Sequence, residues 1–66
     1  MIGPFDKEVL RWVGVLLLPS THDIVSKVRV DKPKAGSVSV GRALSKLEDA
    51  GLIVNIGDKR SAWKVA

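Results

Sequence analysis

No cysteine occurs in this 66-residue chain, so disulfide bridges and thiolate metal sites are excluded. Its single histidine, His22, cannot hold a zinc ion alone. Catalytic equipment is missing as well. No carboxylate pair, nucleophile–base set, glycine-rich phosphate loop or metal constellation can be assembled. Asp23, Asp31 and Asp58 fall where caps and turns are expected. The chain therefore reads as a non-enzyme without metal, cofactor or small-molecule ligand. A membrane-spanning run is also lacking: Val13 to Leu18 contains Gly14, ends at Pro19 and falls far short of the ~20 residues that cross a bilayer. Asp6 and Glu8 precede that run and no small-residue cleavage site follows, which argues against a signal peptide. An intracellular, cytoplasmic protein with no membrane contact is expected.

A chain this short makes one domain, residues 1–66, and buries only roughly 60% of its unfolded surface. Its hydrophobic content of 45% still supports a core, to which dimerisation would add. The net charge of +4 is uneven. Residues 1–30 carry four basic and three acidic side chains, and residues 31–66 carry seven and four. A basic surplus points to a polyanionic partner, although a surplus of this size fits many small domains.

Along the chain, a first helix is expected from an Asp6 cap to about Leu18. Phe5, Val9, Leu10, Trp12, Val13, Leu16 and Leu17 share a broad apolar face opposite Lys7, Glu8 and Arg11. Val15 and Leu18 fall towards the polar side. A helix apolar nearly all round is usually covered, which makes Trp12, Val15 and Leu18 candidates for a dimer contact. Pro19 ends this helix. Ser20 then caps a second, helped by Asp23 three positions on, and that helix reaches about Val28 or Arg29. Thr21, Ile24, Val25 and Val28 line its inner side, and His22 faces solvent. Val30 to Gly36 is a connector of about seven residues, rich in turn formers and charge.

The third helix opens at Ser37 or Ser39 and closes at Gly51, the residue type that accepts left-handed geometry. Val40, Ala43, Leu44, Leu47 and Ala50 occupy one arc, and Val38, Ser39, Arg42, Ser45, Lys46 and Asp49 the other. Leu52, Val54 and Ile56 or Ile53 supply strand-favouring positions. Gly57-Asp58-Lys59-Arg60 is the turn of a hairpin, and Ser61 to Val65 returns with Trp63 closing the core.

Arg42 to Ile53, with two leucines three apart, then an acidic residue, then Gly-Leu-Ile, resembles the recognition-helix signature of winged helix-turn-helix transcription regulators. Lys59, Arg60 and Trp63 resemble the wing and its anchoring aromatic. The resemblance covers about residues 20–65. It implies an α+β, mainly α fold: a winged helix-turn-helix of three helices followed by a two-stranded β wing. The connector is longer than the usual turn of 3–4 residues, a departure that bears on Lys32 and Lys34. Nothing in these residues supplies a ligand-sensing domain, which suits a minimal regulator of the kind found on phages and plasmids and in archaea.

The resemblance further implies a sequence-specific double-stranded DNA-binding protein, repressor-like and nucleoid-associated. Helix 37–50 would enter the major groove and the 57–60 wing would lie on the backbone. Arg42 would contact a base, flanked by Ser39, Ser45 and Lys46. Lys59 and Arg60 would meet phosphates or the minor groove, and Ser37, Lys32 and Lys34 would position the backbone. One small module offers few contacts, so a homodimer on a two-fold site is expected. Two alternatives remain open. One is a phage or plasmid recombination-accessory or architectural DNA-binding protein. The other is a winged-helix module for protein–protein interaction.

Overall fold

Residues 2–66 are described in a computed structural model, which has three helices followed by a two-stranded antiparallel sheet. The first helix, α1, spans Pro4–Val15 and is capped by Gly3. Proline suits the first helical position, because its φ is already helical and its missing N–H has no partner there in any helix. Asp6 is therefore inside the first turn rather than at the cap expected from sequence. Its carboxylate reaches back to accept the Gly3 amide at 2.9 Å.

The C-terminal end of α1 also differs from expectation. The helix stops at Val15, Leu16 turns extended, and Leu18 takes a left-handed φ of 47°. Helical geometry is disfavoured before Pro19, and early unwinding lets the Pro19 carbonyl accept the Trp63 amide at 2.9 Å. That long-range bond is the physical reason for the shorter helix. Leu17, assigned to the apolar face of a longer helix, is instead 94% exposed.

The second helix, α2, spans Thr21–Asp31. Ser20 and Asp23 form the expected reciprocal cap: the Asp23 amide donates to Ser20 Oγ at 3.2 Å, and the Ser20 amide to Asp23 Oδ2 at 3.0 Å. This helix outruns the sequence reading and absorbs Val30 and Asp31. It ends where Pro33 bars Lys32 from helical geometry. The connector is thus residues 32–36, shorter than the seven-residue loop expected.

The third helix, α3, spans Ser37–Asp49, with Ala50 as C-cap and exposed rather than on the inner arc. Gly51 follows at φ +78°. The Leu52 amide donates to the Leu47 carbonyl and the Gly51 amide to the Glu48 carbonyl, at 3.0 and 2.9 Å. These two bonds satisfy carbonyls that the helix leaves open and turn the chain towards the sheet.

Strands β1 (Ile53–Asn55) and β2 (Trp63–Val65) pair antiparallel, with Ile53 opposite Val65 and Asn55 opposite Trp63. Ser61 and Ala62 lie before the returning strand, not in it. The core joins Val9 and Val13 of α1, Ile24, Val25 and Val28 of α2, and Val40, Ala43, Leu44 and Leu47 of α3, with Ile53 and Trp63 from the sheet. Ile24, Leu44 and Leu47 are the largest of the fully buried side chains, each contributing roughly 1.5–3 kcal/mol by leaving water. The apolar periodicity of α2 and α3 predicted from sequence is observed at Ile24, Val25 and Val28 and at Val40, Ala43, Leu44 and Leu47, while Thr21 is half-buried and Ala50 exposed.

Candidate nucleic-acid interface

The apolar arc of α3 is committed to the core, so the opposite arc faces outward by default. Ser37, Val38, Ser39, Arg42, Ser45 and Lys46 are all exposed. Two of the lysines expected at the contact are tied down. Lys46 Nζ sits 2.9 Å from Asp6 Oδ2, and Lys32 Nζ sits 3.3 Å from Glu8 Oε2. Both carboxylates belong to α1, so α1 neutralises one cation on α3 and one just after α2. Arg42, Lys34, Lys59 and Arg60 take part in neither pair. Among the described residues Arg42 therefore stands as a free guanidinium on α3, with Asp49 on the same arc two turns further on.

Asp6 is the one buried charged residue among those described. Its carboxyl is held below the ordinary value of 3.8, first by the Gly3 amide and then by Lys46. Asp23 is lowered in the same direction by the Ser20 amide and hydroxyl, with a smaller contribution from the nearby charge of Arg60. Asp6 was legible as a capping residue, but its grip on Lys46 was not.

The loop between the strands is closed more tightly than a generic polar tip. Asn55 Oδ1 accepts two amides, Gly57 at 3.0 Å and Ala62 at 3.1 Å. The Ile56 amide donates to the Ala62 carbonyl at 2.9 Å and extends the ladder by one step. Inside this closure a Cβ on Gly57 would lie 1.8 Å from the Arg60 carbonyl oxygen, so only glycine fits. Asp58, Lys59 and Arg60 project beyond it, all exposed. Asn55 was missed from sequence; an Asn two residues before a turn glycine was the available signal.

A second polar set fixes the hairpin to α2. The Thr21 amide donates to Ser61 Oγ at 3.1 Å, the two hydroxyls lie 3.0 Å apart, and Trp63 Nε1 donates to Thr21 Oγ1 at 3.2 Å. Trp63 is thus buried with its polar edge satisfied, as a core-closing aromatic needs. Thr21, read from sequence as an inner-face residue, is a hydrogen-bonding hub.

Of the residues expected at a dimer contact, Val15 and Leu18 are exposed, 62% and 45%. Trp12 is half-buried and packs against the core of its own chain, under the Arg11 guanidinium, which lies 4.6 Å from the ring centroid. Among the described residues no group of His, Cys, Asp and Glu could hold a metal ion, and no helix is long and apolar enough to cross a membrane. A scan against protein-family models finds no match, and comparison with curated proteins finds none either.

Proposed function

We propose that this chain is a winged helix-turn-helix protein that binds double-stranded DNA in a sequence-dependent way and acts as a small transcription regulator. The observation that carries this reading is the free guanidinium of Arg42. Among the described residues it stands without an acidic partner on the outer arc of α3, while Lys46 on the same helix and Lys32 at the end of α2 are paired with carboxylates of α1. A guanidinium beside Ser39 and Ser45 is suited to the two acceptors that guanine offers in the major groove. Lys59 and Arg60 extend from a loop held by Asn55 and Gly57, a rigid mount for contacts to phosphate.

In this reading Lys46 secures α3 against α1 more than it reads a base, and Lys34 is the freer of the two connector lysines. Three backbone cations per chain, Lys34, Lys59 and Arg60, give a slope of about −3 in log affinity against log salt concentration for one domain. A homodimer on a two-fold site would double that slope. Selection from a random duplex pool, followed by salt titration on the selected sequence, tests the proposal. Enrichment of a defined sequence is expected, and Arg42→Ala should lower affinity for it by about 1–3 kcal/mol while relaxing preference at one position. No enrichment, a flat salt response and an inert Arg42→Ala would reject it in favour of a protein-interaction module.

A further inference from the structure

Val38 is 67% exposed, in the first turn of α3 between Ser37 and Ser39. The fold gives no reason for a branched apolar side chain there. It is absent from the core cluster, and valine is among the weaker helix formers. At about 100° per residue it stands almost opposite the buried stripe of Val40, Ala43, Leu44 and Leu47. Arg42 follows four residues later on the same face, about 6 Å further along the axis. Among the described residues no other large apolar side chain of α3 is exposed. A lone valine is too little for a patch that docks a protein and enough to cover a single methyl group.

Charge along the same arc decides which half of α3 approaches a polyanion. The first turn carries no carboxylate and Arg42 follows it, whereas Glu48 and Asp49 are exposed at the far end. The helix dipole adds partial positive charge to the first turn and partial negative charge to the last. A duplex therefore favours the half that carries Val38 and Arg42. In the major groove thymine presents an apolar group, its C5 methyl, where cytosine and adenine present amino groups. Valine set against an amino group would leave that donor without a partner. We infer that Val38 packs against the C5 methyl of a thymine within about two base pairs of the guanine taken by Arg42, a separation given by the helical rise of ~6 Å set against ~3.4 Å per base pair. The inference rests on the DNA reading proposed above and adds to it a second base, read without a hydrogen bond. The hydroxyls of Ser39 and Ser45 can donate or accept, so Val38 supplies a selectivity that they lack.

The test starts from the duplex selected from the random pool. The guanine is the position at which Arg42→Ala relaxes the preference. Replacing each thymine in the window around it by deoxyuridine removes the C5 methyl and nothing else. At one of these positions the unaltered chain should lose about fourfold in affinity, the share of one buried methyl. Val38→Ser should be indifferent to that exchange. With cytosine or 5-methylcytosine at the same position, the added methyl should strengthen binding of the unaltered chain and not of the variant. Val38→Ser should keep its melting temperature, because the side chain is exposed. Val30→Ser, at a 75% exposed valine of α2, should keep the full response to the methyl. A guanine read by Arg42 with no thymine in the window overturns the inference and leaves the DNA reading standing. So do thymines that deoxyuridine replaces without loss, or a methyl preference that survives Val38→Ser. A pool that yields no enriched sequence overturns both.

Discussion

At the residue scale, Asp6 holds together parts of the molecule that are far apart in sequence. One carboxylate oxygen accepts the Gly3 amide that opens α1 and an ammonium from the last turns of α3. Because its folded pKa lies below the ordinary 3.8, the ionised carboxylate stabilises the fold fully at neutral pH. That stabilisation is lost as pH falls below about 4 and through the depressed folded value. Asp6→Asn should therefore lower the melting temperature at pH 7 and flatten its fall as pH drops below the ordinary carboxylate value of 3.8, as thermal melts across the acid range would show. Asp23, depressed in the same direction, keeps part of the acid response in the variant. A melting temperature with unaltered pH dependence would mean that neither the Gly3 amide nor Lys46 favours the ionised carboxylate.

At the element scale, the hairpin is stiffened where the helices are not involved. Gly57→Ala places a methyl group 1.8 Å from the Arg60 carbonyl oxygen, so the loop must open. The two bonds to Asn55 should break with it. Backbone amide exchange at Ala62 should accelerate, helical content should be preserved, and the stability cost should be about 0.5–3 kcal/mol. On the proposed function, DNA affinity should fall without a change in preferred sequence, since Lys59 and Arg60 would contact phosphate.

What was legible at this scale divides by the range of the interaction. The stripe through Val40, Ala43, Leu44 and Leu47, the Ser20–Asp23 cap and the Gly51 stop are local patterns, and all three stand in the structure. The α1 terminus was misplaced because its position is decided by Trp63, which draws on the Pro19 carbonyl. Thr21 and Ser61, separated by 40 positions, likewise meet only once the hairpin has folded back. At the candidate interface the basic residues were readable as types. Which of them are already paired was not, because each pairing carboxylate lies on α1, remote in sequence.

At the scale of the whole molecule, stability is thin. At about 0.05–0.15 kcal/mol per residue, a chain of 66 residues has roughly 3–10 kcal/mol in total. Leu44 is 1% exposed, and truncating it to alanine should cost about 2–5 kcal/mol. Leu44→Ala should therefore leave a substantial unfolded population at 37 °C, visible in a chemical denaturation curve with no native baseline. If a dimer forms, the midpoint of that curve should rise with protein concentration, since association stabilises only the folded state.

The neutralised Lys46 also limits how much α3 could say about a sequence. With that ammonium held by Asp6, the outward hydrogen-bonding vocabulary of the helix comes down to one guanidinium and a few hydroxyls. On the proposed function, such a face would discriminate only a short word, and short words recur by chance throughout any genome. Requiring two copies of the word at a fixed separation multiplies the two probabilities, so a rare address could be composed from a helix that spells very little.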